Sequence, residues 1–371
     1  MRFLIISHAP HIKSDSRLYA YRPYVKEMNM WLNHVDDVEI VAPKSNIKPT
    51  LIDESYEKNE IELTAIPEIS LISISKILRA ILLSPMIMYR IFIAMKKADH
   101  IHLRCPGNIG LLGCFVQILF PYKTKTAKYA GNWDPDAKQP LSYRLQKYIL
   151  NNTFLTRNIK VLVYGEWPKQ SKNILSFFTA SYSIKDKEEV ILRKYDLPLR
   201  FLFVGSLSQG KRPLYALKLV EGIIKLGLPS EIHIYGDGVL KKELQQYVNE
   251  NKLEKFVYYH GTQTAEEIKD AYKKSHFLIL PSKSEGWPKV VAAEAMWWGV
   301  IPIVTSISCV PWMIGNGSRG ILLKGRLKKD IKKIEKELQN KNALRTKSNK
   351  AQLWARNYTV ERFESEITKL L

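Results

Sequence analysis

Three glycine-bearing turns carry the residues best suited to chemistry. In PSKSEGWPKVVAAEAMWWG (281–299), Glu285 stands beside Gly286, and Glu294 follows with eight residues between the two carboxylates. A glutamate next to a glycine at the end of an apolar run (FLIL, 277–280) is poorly explained by packing. The Gly286–Trp287–Pro288 backbone offers the N–H groups of Gly286 and Trp287 to an anion, and Pro288 suits the first turn of a helix. In FVGSLSQGKRP (203–213), Gly205 ends an apolar run, Ser206 follows, Gly210 keeps the loop small, and Lys211 and Arg212 lead into Pro213. That is a phosphate cradle by composition, without the spacing of a Walker loop. In YGDGVL (235–240), Gly236 and Gly238 allow close backbone approach, and Asp237 is placed to cap the next helix. Carboxylates repel phosphates but suit sugar hydroxyls, as the ribose-binding acid of dinucleotide folds does. N–H groups, a lysine and two glutamates together fit a nucleoside diphosphate attached to a sugar. Taken singly, each turn also reads as an ordinary glycine turn or helix cap.

Fewer candidates arise in the first half. His102 and Arg104, in DHIHLRCPG (99–107), read as the end of a strand, where side chains reach a ligand. A lone histidine there is more often structural. The loop AGNWDPD (130–136) follows another strand end and presents Asn132 and Trp133. Its Asp134–Pro135–Asp136 triplet reads as a turn or helix cap. No histidine–cysteine cluster has zinc spacing, so no metal ligands are assigned. Cys105, Cys114 and Cys309 are too few for a disulfide framework and fit a reducing compartment.

The elements that must position these residues alternate strand and helix twice over. Apolar runs at 3–7, 38–42, 61–66, 100–103, 125–130 and 160–164 are separated by helical patterns at 17–33, 73–97, 108–119, 140–152 and 167–176. A second series has strands at 200–204, 231–235, 256–260, 277–280 and 301–304, with helices near 212–226, 239–250, 264–274 and 288–298. Such alternation indicates βαβ units in parallel sheets, hence two doubly wound α/β domains. Their boundary is expected in the polar stretch 182–198, and a helix closes the chain over 352–371. The apolar stretch 77–95 contains Arg79 and Arg90 and is broken by Pro85. We read it as two short helices, packed on a sheet in preference to lying at a lipid interface. The start, MRFLIISHAP, is too short in its apolar run for a signal peptide. Lysine and arginine number 57 against 36 acidic residues, a net charge of +21. That surplus concerns partners and not fold. It divides as +9 over 1–180 and +12 over 181–371, so it is not a tail, and no nucleic-acid-binding motif accompanies it.

The second half resembles the retaining nucleotide-sugar glycosyltransferases of the two-Rossmann GT-B architecture, specifically family 4, also described as glycosyl transferases group 1. The match runs over about 200–323 through FVGSLSQGKRP, IYGDGVLKKELQQ and HGTQTAEEIKDAYKKSHFLILPSKSEGWPKVVAAEAMWWGVIPIV. The first half resembles the family more weakly, through its strand–helix order and DHIHLRCPG. The resemblance implies two Rossmann-like domains facing across a cleft: an acceptor-side domain at 1–185, a donor-side domain at 186–350, and a helix at 351–371 returning to the first. It implies that Glu285 contacts donor-sugar hydroxyls and that Glu294 holds the ribose. Gly286, Trp287 and Pro288 would line the diphosphate and sugar, Lys211 would bind the diphosphate, and Gly205 would let the loop approach the phosphates. Arg212 would supply the charge that Ser206 does not, since the family often has an arginine at that place. Gly236 would bring its turn close to the donor, and Gly261 and Thr262, beside His260, would lie near the nucleobase. His102 aligns with a family position, and Asn132 stands where the family often has an active-site histidine. The family usually has seven residues between its two glutamates, so one extra residue here must be absorbed in the loop or as a helix bulge.

The implied activity is transfer of a sugar from a UDP- or GDP-sugar type donor to a glycan or lipid-linked acceptor, with retention and without a metal or other cofactor. The expected location is cytoplasmic and peripheral on the inner membrane face. Within 121–180, ten basic residues face three acidic ones, a surplus suited to an anionic membrane surface. A sugar-nucleotide epimerase of the same architecture is the alternative. A nucleic-acid-binding protein is the more distant one.

Overall fold

The structure is a computed structural model that describes residues 1–50, 52–189 and 193–371. The chain forms two compact units, Met1–Phe177 with Glu364–Leu371, and Phe178–Phe363.

The first unit is built on ten strands: β1 (Arg2–Ile6), β2 (His11–Ser14), β3 (Arg17–Tyr21), β4 (Asp37–Ser45), β5 (Asp53–Ser55), β6 (Ile61–Ile66), β7 (His100–Cys105), β8 (Thr124–Tyr129), β9 (Ile159–Tyr164) and β10 (Ile174–Phe177). They run in the order β10-β9-β8-β7-β1-β4-β2-β3-β5, with β6 also paired to β4. The pairs from β10 to β4 and the β4–β6 pair are parallel. Its helices are α1 (Arg22–Leu32), α2 (Ile74–Lys97), α3 (Asn108–Val116) and α4 (Leu141–Asn151). Phe3, Leu4, Ile5 and Ile6 of β1 are all fully buried. A near-continuous apolar run is what a parallel strand covered on both faces requires.

The second unit has β11 (Leu199–Val204), β12 (Ser230–Tyr235), β13 (Val257–Gly261), β14 (Phe277–Leu280), β15 (Ile301–Thr305) and β16 (Ile321–Leu323). All are parallel, in the order β13-β12-β11-β14-β15-β16. The helices are α5 (Pro213–Lys225), α6 (Lys241–Glu250), α7 (Ala265–Lys274), α8 (Val310–Met313), α9 (Leu327–Leu338) and α10 (Lys341–Ala355), and the last helix, α11 (Val360–Thr368), begins in this unit and ends in the first. A π-helical segment, Val290–Ala295, takes the place of a regular helix after β14.

Four expectations are corrected. The helix expected from residue 17 begins at Arg22, because 11–21 forms the β2–β3 hairpin. Asp15 and Ser16 adopt positive φ at its turn, a conformation aspartate tolerates. Part of the helix expected at 167–176 is strand, since β10 extends the sheet beside β9. A further strand, β16, follows the second series and pairs with β15. Residues 77–95 belong to one helix, α2, with Pro85 inside it. Proline removes a single helical hydrogen bond, and the Ser84 hydroxyl donates to the Ala80 carbonyl beside that gap at 2.6 Å. Ile87, Ile91, Ala94 and Met95 bury the C-terminal half of α2 in the core, which holds the helix together past the proline. Its N-terminal half is exposed, so core packing describes only part of it.

Candidate active site

The strand order of the second unit places its catalytic candidates. Read outward from β11, it is the doubly wound order in which the sheet reverses direction between the first and fourth strands. Ligands of such sheets bind beyond the carboxyl ends of the strands, at that reversal. The loops leaving β11 and β14 meet there: the Lys283 N–H donates to the Gly210 carbonyl at 2.8 Å. The Lys211 ammonium then reaches the Glu285 carboxylate, with Nζ 2.6 Å from Oε1. The Glu285 side chain is 10% exposed and that of Lys211 33%, so both are partly withdrawn from water. Arg212 lies at the start of α5 with φ of 54°, its guanidinium 4.1 Å from the centre of the Tyr215 ring. Tyr215 in turn donates to Asp330, which accepts the N–H groups of Lys324, Gly325 and Arg326.

Three turns at the carboxyl ends of β11, β12 and β13 are braced by backbone. The Gly205 N–H donates to Tyr235, that of Gly236 to Gly261, and that of Leu207 to Asp237, at 2.9, 2.7 and 2.9 Å. Gly236 has φ of +132°, and a Cβ there would stand 2.0 Å from the Gly205 carbonyl oxygen, so no side chain fits. Ser206 is exposed, its hydroxyl 3.2 Å from that of Ser208. Asp237 does not cap α6. That helix begins after Leu240, and the Asp237 carboxylate accepts from the Gly238 N–H and the Lys241 ammonium. Thr262 is exposed beside Gly261. The His260 ring stacks on Tyr235, centres 4.3 Å apart and nearly coplanar, and its Nε2 lies 2.9 Å from Nδ1 of His233. Burial, with the neighbouring His233 and Arg200, lowers the His260 pKa, and burial lowers that of His233 as well.

After β14, the Gly286 carbonyl accepts from the Cys309 thiol at 3.1 Å. Burial pushes that thiol up to about 12, so it is held as a neutral donor. The Gly286 N–H has no partner among the described residues. The Trp287 ring is a core anchor, packed 5.5 Å from Tyr358 and 6.2 Å from Trp354, which fixes the backbone beside it. Pro288 is buried as well. Glu294 sits in the π-helical segment, and its oxygens accept from the Tyr272 hydroxyl at 3.1 Å and the Ser181 hydroxyl at 3.4 Å. A π turn carries one more residue than a regular helical turn, and Glu294 lies within it.

In the first unit, His102 is not at a strand end. Strand β7 continues to Cys105, leaving His102 fully buried, its Nδ1 2.8 Å from the Thr126 hydroxyl and its ring 4.6 Å from Trp31. The structure therefore places it in the core of the sheet. Arg104, two residues on, is ion-paired with Glu27. Asn132 is half-buried, and its side-chain oxygen accepts the Asp134 N–H at 2.9 Å, while Asp134 accepts the Asp136 N–H at 2.9 Å. Both are side-chain turns of the kind such residues form. The sequence alone suggested no site role for Cys309, His8 or Lys128. His8 follows β1 and packs over Gly107, where a Cβ would stand 2.8 Å from the imidazole. Burial brings Lys128 down to about 7. Only the position of His8, just beyond the β1 carboxyl end, was a usable signal.

Residues 184–354 match the family described as Glycosyl transferases group 1. The chain is 32% identical over 114 residues to the lipopolysaccharide 1,6-galactosyltransferase of Salmonella typhimurium, covering 30% of this chain and 31% of that protein. It spans 39% or less of the length of the curated relatives it matches. Among solved structures, it resembles the lipopolysaccharide outer core galactosyltransferase WaaB at a TM-score of 0.71 and 16% identity, over 100% of this chain and 99% of that one. It also resembles Anabaena HepE, solved in complex with UDP, at a TM-score of 0.67 and 14% identity, over 99% and 98%. These likenesses extend over both units, while the family match is confined to the second. The chain therefore has an α/β fold of parallel-sheet, Rossmann-like units shared with these glycosyltransferase structures, and residues 184–354 match the Glycosyl transferases group 1 family.

Proposed function

We propose that this chain is a retaining, metal-independent glycosyltransferase that moves a sugar from a nucleoside-diphosphate sugar to a glycan or lipid-linked acceptor. The observation that carries the reading is the meeting of Lys211 and Glu285 at the reversal point of the second sheet. A cation and a carboxylate 2.6 Å apart match the two charges that the reaction develops. The bond from the anomeric carbon to the diphosphate oxygen breaks, and the diphosphate leaves with the electron pair. The acceptor hydroxyl oxygen bonds to the same carbon and passes its proton to the departing diphosphate oxygen. Lys211 and the Gly286 N–H stabilise the leaving diphosphate, where fixed donors in a site shielded from water act most strongly. Glu285 holds the sugar hydroxyls and faces the positive charge on the sugar ring. Glu294 takes the ribose. The braced glycines at 205, 236 and 261 keep the backbone close to the nucleotide, with Ser206 and Thr262 at its edge. UDP is favoured as the nucleotide by the solved complex of HepE with UDP. A location on the cytoplasmic face of a membrane, with a role in polysaccharide or glycoconjugate synthesis, is in keeping with the lipopolysaccharide galactosyltransferase likeness and the +21 charge.

The test is a panel of nucleotide sugars with and without acceptor glycans, in the presence and absence of EDTA. The expected result is donor consumption that needs an acceptor, survives chelation and yields a product of unchanged anomeric configuration. Consumption without any acceptor, or loss in EDTA restored by a divalent ion, overturns the reading.

A further inference from the structure

Helix α2 changes character along its length. Its C-terminal half is core: Ile87, Ile91, Ala94 and Met95 are buried among β-sheet residues. Its N-terminal half runs on into solvent while remaining apolar. Ile74, Leu78, Ile81 and Leu82 are 79%, 58%, 63% and 79% exposed, and Ile72 just before the helix is 80% exposed. The helical residues recur at spacings of four, three and one, which sets them along one side of about two turns. A contiguous apolar surface of this kind marks an interaction site on a folded protein.

Charge selects the occupant. Between Glu68 and Asp99 there is no acidic residue, while Lys76, Arg79, Arg90, Lys96 and Lys97 are basic. A second copy of the chain would bring the same positive charges against these and carries +21 overall. An anionic bilayer supplies the opposite charge to the basic residues and an apolar phase to the isoleucines and leucines. By length and composition alone α2 could cross a bilayer, but Ile87, Ile91, Ala94 and Met95 pack in the core, which favours a helix lying in the surface. The C-terminal half of α2 turns one face into the core, and Arg79 stands within the exposed half.

We propose that the N-terminal half of α2, Ile74 to Leu82 together with Ile72, inserts in the plane of an anionic membrane surface. Its aliphatic side chains enter the boundary of the hydrocarbon, and Lys76 and Arg79 extend their heads to lipid phosphates, as amphipathic interfacial helices do. This rests on the reading above that the acceptor is membrane-associated, and it names the element that docks. Because these side chains are already in water, replacing them opens no cavity.

The experiment uses the full chain with vesicles of phosphatidylcholine alone or mixed with phosphatidylglycerol, at low and high salt. The variants are the triple substitution Ile74→Asn, Leu78→Asn, Ile81→Asn, and separately Arg79→Glu. The wild type is expected to co-sediment with the phosphatidylglycerol vesicles and to be weakened by salt. The triple variant should lose about tenfold or more of that binding, and Arg79→Glu about fivefold or more. Melting temperature and UDP affinity should stay as in the wild type. Vesicle binding by the triple variant equal to wild type overturns the proposal, as does a wild type that binds neither vesicle. So does a concentration-dependent dimer, seen in sedimentation velocity, that the triple variant disperses. Vesicle binding that persists in a chain showing no nucleotide affinity sinks the donor reading and leaves this one standing.

Discussion

Lys211 and Glu285 restrain each other before any ligand arrives. At 2.6 Å, with Glu285 largely shielded, each neutralises the other, so an incoming diphosphate competes with the carboxylate for the lysine. Glu285→Gln removes the competitor and leaves the shape nearly unchanged. UDP without a sugar is then expected to bind as tightly as to wild type or more tightly, while transfer falls on the order of 10²–10³-fold. Calorimetry with UDP and a transfer assay check the two halves; weakened UDP binding would show that Glu285 does not oppose the phosphate. The identities of both residues were legible because each sits by a glycine in a turn. Their pairing was not, since they lie 74 positions apart and only the strand order joins them. His102 was misread for a related reason. The alternation His100, His102, Arg104 gives no sign of where β7 stops, and the strand runs three residues past His102.

At the scale of elements, the donor-side turns behave as one braced unit. Gly236 is its tightest point, because the atom a side chain would strike is the Gly205 carbonyl oxygen, which belongs to the backbone and cannot rotate away. Gly236→Ala is expected to cost about 1–3 kcal/mol of stability and to weaken nucleotide binding along with it. Gly210→Ala is the control, since nothing lies within 4 Å of a Cβ there. Thermal melts with and without UDP distinguish the two; equal tolerance at both positions would mean that the brace is not rigid. The parallel strands were readable as apolar runs, and so was most of the helix order. The β2–β3 hairpin was not, because HIKS and RLYAY are short and mixed, and their pairing draws on β4 and β5 elsewhere in the chain. The π-helical segment was not legible as such, because the spacing of the two glutamates left open whether loop or helix would be irregular.

For the whole molecule, the acid side of the stability profile follows from buried imidazoles in the first unit. Burial lowers His11 and His100 to about 4, and lowers His102 well below its ordinary value. Unfolded histidines take up protons near pH 6.5, whereas His11 and His100 do so only near 4. Between those values the unfolded chain binds more protons, so stability rises with pH and is lost as pH falls from about 6.5 toward 4. Each group contributes up to about 1.4 kcal/mol per pH unit in that window. Melting curves from pH 4.5 to 7 should show the drop, and His100→Gln should shallow it by one group's share. A slope unchanged by that substitution would remove His100 from the account.

The Lys211–Glu285 site can be tested without knowing the sugar or the acceptor. The measurement is the melting temperature of wild type and Lys211→Ala in rising concentrations of UDP. A ligand at 100 times its dissociation constant stabilises the fold by about 2.7 kcal/mol. The account predicts a clear, saturable rise for wild type and a rise at least tenfold less sensitive to UDP for Lys211→Ala, with both proteins melting alike in its absence. No rise for wild type with UDP or any other nucleoside diphosphate, or an equal rise in the variant, would contradict it.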